Sequence, residues 1–177
     1  QRAKYRRILH CLKAGPGQRV LEIGCGWGGF AEMAVADGLQ LTGLTLSPAQ
    51  LAWAQKRVPA ADLRLQDYRD TDEQFDHVVS IEMFEAVGER WWPTYFKSIA
   101  KALKPGGRAV IQSITIGDEL FADYRKGTDF IQQYVFPGGM LPSRTAFRTA
   151  AAKQGLVVRS EYAFGKDYAR TLAEWRH

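Results

Sequence analysis

The chain has 177 residues, 46% of them hydrophobic and 24% charged, which fits one soluble globular domain and excludes intrinsic disorder. No apolar run approaches the roughly 18 residues that span a bilayer, the first twenty residues hold no apolar signal-peptide core, and two cysteines, Cys11 and Cys25, make neither a disulfide scaffold nor a cysteine-rich zinc site. The net charge of +5 lies wholly in residues 1–60, with eight basic and three acidic residues, while residues 61–177 carry sixteen of each.

The expected setting is a reducing cytoplasm. The sequence opens at Gln1 rather than Met, so N-terminal residues are expected to be missing. Tyr5, Ile8, Leu9 and Leu12 recur at helical spacing, and Gly15-Pro16-Gly17 stops that helix. Arg2, Lys4, Arg6, Arg7, Lys13 and Arg19 carry the basic excess. Such a run reads either as a solvated helix face or as attraction to an anionic surface, phospholipid or nucleic acid.

Val20-Leu21-Glu22-Ile23 is a short β-rich run, Phe30–Ala36 a helix and Leu39–Leu46 a strand. Ser47-Pro48 supplies an N-cap and a first-turn proline for a helix over Ala49–Val58. Asp62–Leu65 is a short strand, and Phe75–Ile81, with Phe75, Val78, Val79 and Ile81, reads as an apolar strand covered on both faces. Trp92, Tyr95, Phe96, Ile99 and Leu103 form one helical stripe. Lys104-Pro105-Gly106-Gly107 is a turn and Arg108–Ile116 a strand. Residues 117–142 are less regular. Ser143 caps a helix to about Lys153, Gly155 ends it, and Leu156–Phe164 reads as a final strand. The alternation predicts an α/β fold, a doubly wound and mostly parallel sheet with helices on both faces, which binds ligands at the carboxyl ends of its strands.

Gly24-Cys25-Gly26-Trp27-Gly28-Gly29 follows a strand and opens a helix. Glycines there permit a tight turn and a close approach of backbone to ligand, and the helix start offers free N–H groups. Gly24, Gly26 and Gly29 satisfy the dinucleotide pattern G-x-G-x-x-G; Gly24, Gly26 and Gly28 also satisfy the G-x-G-x-G of S-adenosylmethionine (SAM) enzymes. Glu22 stands where a dinucleotide fold usually has an apolar residue. The second strand ends in Thr45-Leu46-Ser47, without the acid that a nicotinamide ribose prefers. Both features favour SAM, and leave Thr45 and Gln50 to serve its ribose.

The motifs Leu21–Gly29, Gly43-Leu44-Thr45-Leu46-Ser47, Gln66-Asp67-Tyr68-Arg69-Asp70, Ser80–Gly88, Tyr134–Ser143 and Asp167–Leu172 together closely resemble the cyclopropane-fatty-acyl-phospholipid synthase family, which includes mycolic-acid cyclopropane synthases. The resemblance runs through essentially the whole chain. It implies the Rossmann-like fold of class I SAM-dependent methyltransferases, truncated here at both ends. It also implies methyl transfer to the cis double bond of an unsaturated phospholipid acyl chain, with a cyclopropane or methyl-branched product. Cofactor contacts are then expected at Glu22, Gly24, Gly26, Gly28, Thr45, Leu46 and Gln50, and, for the adenine, at Gln66, Asp67 and Tyr68. No metal is expected.

In that family a bound bicarbonate is the proposed base. The matching catalytic positions are Glu85, Gln112, Ile114 through its backbone, and Tyr168. Gln112 stands where many members have histidine, and Ala86 where a histidine often follows the glutamate. A further family cysteine lies upstream of this sequence; neither Cys11 nor Cys25 is its counterpart. Gln112 donates a hydrogen bond but accepts no proton at neutral pH. The anion would take donors from Gln112, Tyr168 and backbone N–H groups, with Glu85 accepting the bicarbonate proton.

Several of these residues have plainer readings. Glu85 suits a helix cap as well as a cleft, Asp67 a turn, and Trp92 the core. His10, His77 and His177 share no metal-ligand spacing. Trp27, Phe84, Tyr134 and Phe136 are candidate aromatic walls for cationic groups. Phe121, Tyr124, Phe130 and Ile131, with Tyr134 and Phe136, give residues 117–142 the apolar surface of a substrate-covering insertion, an ordinary crossover with its own small core being the plainer reading. The chain reads as one domain over 1–177 whose partners are unsaturated phospholipids at the inner membrane surface, not nucleic acid. A non-catalytic SAM- or lipid-binding module and an NAD-dependent oxidoreductase are the alternatives.

Overall fold

The computed structural model of the chain describes residues 1–128, 130–135 and 137–176, with the backbone alone at Ile131. Five parallel strands form one sheet: β1 (Arg19–Ile23), β2 (Gln40–Thr45), β3 (Asp62–Leu65), β4 (Phe75–Ile81) and β5 (Leu103–Gln112), in the order β3-β2-β1-β4-β5. Val20 pairs with Leu41 on one side and with His77 on the other. The order reverses at β1, so the connections after β1 and after β4 leave the sheet in opposite directions and open a crevice at their carboxyl ends.

Helices α1 (Arg2–Leu12), α2 (Gly29–Ala36) and α3 (Pro48–Arg57) cover one face. Ile8, Leu12, Phe30, Ala31, Ala34 and Ala54 pack there on Val20, Leu41, Leu63 and Val79. Helices α4 (Trp92–Ala102) and α6 (Arg144–Ala152) cover the other, with α5 (Asp118–Tyr124) against α6. Leu21, Ile23, Leu44 and Val78 meet Trp92, Tyr95, Phe96 and Ile99 on that side. Alternate residues of β1 thus serve opposite cores, as the period of two requires. Both caps legible in the sequence form: Ser47 accepts from Gln50 N, and Ser143 from Ala146 N.

Two strands differ from the sequence reading. β5 begins at Leu103, and Lys104–Gly107 is a wide bulge inside it, four residues facing Asp76 alone between the pairs Phe75–Leu103 and His77–Arg108. Lys104 Nζ and Arg19 N both donate to Asp76, each at 2.8 Å, and hold the bulge. The strand stops at Gln112 rather than Ile116, which keeps a single bridge to Ser143. Leu156–Phe164 forms no strand. It runs irregularly, with Glu161 paired to Arg148 of α6 and Tyr162 beneath the Arg7 guanidinium of α1, 3.4 Å from the ring centroid. A β-rich pattern needs a ladder partner, and this segment instead crosses from one helical layer to the other. Helix α7 (Gly165–Glu174) follows.

Phe84, expected as a wall for a cation, is fully buried at the centre of an aromatic cluster, with Tyr95, Phe96, Phe147 and Trp92 rings 4.8–5.4 Å away. Its short helical turn, Phe84–Ala86, directs the side chain into the core while Glu85 faces the crevice. Phe84→Ala should therefore cost about 3–5 kcal/mol of stability, read from denaturant unfolding; a loss of a surface substitution's size would show that the cluster is not a packing centre.

Glu22 lies on the α1–α2 side of β1, 2% exposed, and its Oε2 has no hydrogen-bond partner. Burial alone pushes its carboxyl well above the usual range. Such a group holds its proton more tightly folded than unfolded. Its contribution is intact below the unfolded value of about 4.3 and is lost as pH rises through the raised folded value. Glu22→Gln should flatten the fall in stability toward alkaline pH, with the largest gain over wild type at the alkaline end of a urea titration series. An unchanged slope would mean that Glu22 is ionised in the fold.

Candidate functional site

At the head of β1 the chain turns through Gly24, Gly26 and Gly28, with φ of +80°, +51° and +78°. An L side chain rarely takes such values. Gly24 N and Cys25 N donate to Leu44 O at 3.0 and 2.8 Å, which ties the loop to β2. A Cβ at Gly26 would meet no atom within 4 Å, so the loop opens there to free space. Trp27 stands beside that opening, 53% exposed, edge-on to Trp53. Cys25 points inward; burial, chiefly, pushes its thiol up to about 12.

Around this loop lie the other expected contacts. Thr45 Oγ1 meets Gln50 Oε1 at 3.0 Å and accepts Ser47 N at 3.1 Å. Leu46 is exposed. Beyond β3, Gln66 Nε2 donates to Asp70 O, and Tyr68 packs edge-on to Tyr95. Asp67 lies at the same strand end and carries an ion pair. Arg69 donates to both its oxygens, at 2.7–2.9 Å, and holds its carboxyl below the usual range. The ion pair leaves this carboxylate further lone pairs to accept a hydrogen bond.

A second polar group lies at the carboxyl ends of β4 and β5. Glu85 accepts Ile114 N, and its Oε2 is shielded with no hydrogen bond. Burial lifts the Glu85 carboxyl above the usual range; the Ile114 and Glu85 N–H groups and the Ser113 hydroxyl work against that, and the charge of Glu82 adds to it. Gln112 Nε2 donates to Glu82 Oε1 at 2.7 Å, and Gln112 O takes Glu82 N–H at 3.0 Å. Tyr168, on α7, faces the same carboxylates; burial first, then Glu82 and Glu85, raises its phenol. The four expected residues therefore lie together, although Tyr168 arrives on a helix and not after a sixth strand.

Two members of this group were not anticipated. Glu82 joins Gln112, Tyr168 and Lys4, whose Nζ lies 3.3 Å from Glu82 Oε1. It also has φ +52°, strained for a residue with a side chain. The sequence signal was its place directly after the apolar β4 run, where sheets of this kind bind ligands. Nothing local marks Lys4, which is one of several basic residues of α1 and lies 78 positions from its partner. The remaining basic excess is divided: Arg19 pairs with Glu73, and Arg2, Arg6 and Lys13 stay exposed.

The two polar regions adjoin. A Cβ at Gly24 would sit 3.0 Å from Met83 Cγ, between Glu82 and Glu85 in sequence. Met140 N donates to Glu85 O at 3.1 Å and Ile116 N to Pro142 O at 3.0 Å, so residues 138–142 dock beside the carboxylates. Leu120, Phe130, Tyr134 and Val135 are exposed nearby in sequence, with the Phe130 and Tyr134 rings 5.1 Å apart, whereas Phe121 stacks on Trp92. The Ile131 side chain, Phe136 and His177 lie outside the described residues. His77 is buried against Gln18. Among the described residues no group of three or more His, Cys, Asp and Glu could hold a metal ion, and no helix is long and apolar enough to cross a membrane.

The family described as mycolic acid cyclopropane synthetase matches residues 1–177. The tuberculostearic acid methyltransferase UfaA1 of Mycobacterium tuberculosis is 41% identical over 99% of this chain and 43% of its own length. The cyclopropane-fatty-acyl-phospholipid synthase of Escherichia coli is 40% identical over 99% of this chain and 45% of its own. The chain thus spans less than half the length of these two curated relatives. The solved cyclopropane synthase MmaA2 of Mycobacterium tuberculosis superposes with a TM-score of 0.87 at 30% identity, covering 99% of this chain and 67% of that one. The mycolic acid cyclopropane synthase CmaA1, complexed with SAH and CTAB, gives 0.84 at 30% identity with the same coverage. The sheet and its two helical layers are those of class I SAM-dependent methyltransferases. With a match from the first residue to the last, the chain belongs to the mycolic acid cyclopropane synthetase family.

Proposed function

We propose that this chain is the SAM-binding part of a lipid methyltransferase that acts on the cis double bond of an unsaturated phospholipid acyl chain and yields a cyclopropane ring or a methyl-branched product. The observation that carries the reading is the glycine loop, which opens to free space at Gly26 and packs at Gly24 on Met83, two residues before Glu85. The buried, unpartnered oxygen of Glu22 beneath the loop and the Thr45–Gln50 pair beside it suit a polar cofactor. Gly24, Gly26, Gly28, Thr45, Leu46 and Gln50 would hold its amino-acid and ribose parts, and Gln66, Asp67 and Tyr68 its adenine. When bound, SAM supplies an electrophilic methyl group on a sulfonium. Glu85, Gln112, Tyr168 and the Ile114 backbone form the polar end of the cleft, where the lipid gives up a proton.

Residues 117–142 are the substrate-covering insertion in this reading: part of the segment docks against Glu85, and its exposed Leu120, Phe130 and Tyr134 offer apolar surface to an acyl chain. Arg2 and Arg6 on α1 and Lys13 just past its end suit anionic headgroups at the inner membrane surface. A nicotinamide enzyme would want an acid at the end of β2, where Thr45 stands. A non-catalytic module would bind SAH and leave lipids unchanged. The full-length protein, given SAM and vesicles of a cis-monounsaturated phospholipid, should yield acyl chains one CH2 heavier by mass spectrometry, with NMR to tell ring from branch. Unchanged lipid across varied acyl chains, with SAH still bound, would favour the non-catalytic module.

Gly26→Val places a branched side chain in the open space and in a conformation it resists, so SAH affinity by calorimetry should fall by about tenfold or more while the fold persists. Unchanged affinity would move the cofactor elsewhere. Glu85→Gln should leave SAH binding intact and lower lipid product about 100-fold, the scale of a lost acid–base group. Normal turnover would remove Glu85 from the reaction.

A further inference from the structure

The donors a bicarbonate would need are already turned to carboxylates. Gln112 Nε2 and Lys4 Nζ both reach Glu82 Oε1, at 2.7 and 3.3 Å, Ile114 N–H reaches Glu85, and the Tyr168 hydroxyl faces Glu82. Two carboxylates in one cleft also repel a third anion. The residues present therefore do not fit bicarbonate. What the cleft does contain is a carboxyl oxygen, Glu85 Oε2, shielded from water and without a hydrogen bond.

We propose that Glu85 Oε2 is itself the proton acceptor of the reaction, and that Glu82, fixed by Gln112 at the neighbouring strand end, is a positioning residue for it. This rests on the methyl-transfer reading above. In the step, one C–H bond of the newly attached methyl group breaks. Its electron pair forms the C–C bond to the neighbouring cationic carbon of the lipid and closes the ring. The proton passes to Glu85 Oε2, so the lipid loses its positive charge as Glu85 loses its negative one. No oxidant, reductant or further anion is needed.

Glu82 is built for its part. Gln112 clamps it twice, through its carbonyl to Glu82 N–H and through its amide to Oε1, and Glu82 keeps a left-handed backbone that only fixed surroundings sustain. Gln112 is thus the partner of Glu82 rather than a weakened histidine. The groups that face Glu85 are Glu82 and Ser113 from the strand ends, Tyr95 from α4 and Tyr168 from α7; Lys4 reaches only as far as Glu82. Ser113 donates its own proton to Ile114 O at 3.1 Å. Burial acts most strongly on the Glu85 carboxyl and strengthens it as a base, the direction a proton acceptor requires; the Ile114 and Glu85 N–H groups work against this, and the Glu82 charge adds a smaller push in the same direction as burial.

The test uses the full-length protein with SAM and unsaturated phospholipid vesicles, in buffer freed of carbon dioxide and in the same buffer with added bicarbonate. Equal turnover in both is expected, and carbon-13 bicarbonate should show no binding by NMR. Product formed only with bicarbonate would overturn the proposal and leave the methyl-transfer reading standing. No product in either buffer would end both. Glu82→Gln should keep SAH affinity, lower turnover about tenfold or more, and move the acidic limb of the pH profile to lower pH. The Glu85 carboxyl, followed by carbon-13 NMR without SAM, should titrate lower by the same shift. Glu82→Asp, which keeps the charge, should restore most of both. A lower rate with an unmoved pH profile and an unmoved Glu85 titration would make Glu82 structural only and overturn its role.

Discussion

Val20 pairs with His77 and Ile23 with Ser80, and this register of β1 against β4 determines where the rest of the chain can go. It sets the carboxyl ends of two strands side by side where the sheet reverses its order. The loop after β1 is then free to turn through three glycines, and the turn after β4 is free to present Glu82 and Glu85. Met83, lodged against Gly24, is the point at which the two loops touch. A parallel pair of this kind is stable only when both faces are covered, so the two helical layers and the open crevice are consequences of one pairing.

The same constraint explains the division of labour in the turn after β4. Successive side chains point in opposite directions. Phe84 enters the aromatic core among Tyr95, Phe96, Trp92 and Phe147, and its neighbour Glu85 enters the crevice. Packing thus fixes the carboxyl from behind. Trp92 Nε1 donates to Val87 O at 2.9 Å and closes the turn from the α4 side. The carboxyl group is held by a rigid element rather than by a loose loop, which is what acid–base chemistry needs of its geometry.

Much of this was legible in the residues. Apolar runs and their punctuation located all five strands, because both-face burial leaves strong patterns. Ser47-Pro48 and Ser143 marked helix starts, because a cap acts through its immediate neighbours. The glycine loop was legible as a ligand loop but compatible with two cofactors; Glu22 and the end of β2 tipped the balance. What failed had non-local causes. Leu156–Phe164 has the composition of a strand but contacts Arg148 and Arg7 instead of a ladder. Phe84 looked like a cleft residue because its neighbour was one. The tie between Lys4 and Glu82 is made by the packing of α1, which local pattern does not encode. The bulge at Lys104–Gly107 read as a turn because a bulge uses the same Pro and Gly residues.

Cys25 sits within the glycine loop but turns its sulfur inward, beside Glu22, with the thiol pushed up to about 12, whereas Cys11 is exposed on α1. Thiolate is the species that oxidants and alkylating agents attack. The loop at the centre of the site is therefore chemically silent toward them, despite carrying a cysteine between two glycines. A thiol-directed dye or spin label meets this chain at Cys11 instead, about two helical turns from Lys4. That offers a single spectroscopic handle on α1, the helix whose lysine reaches the carboxylates, without disturbing the loop itself.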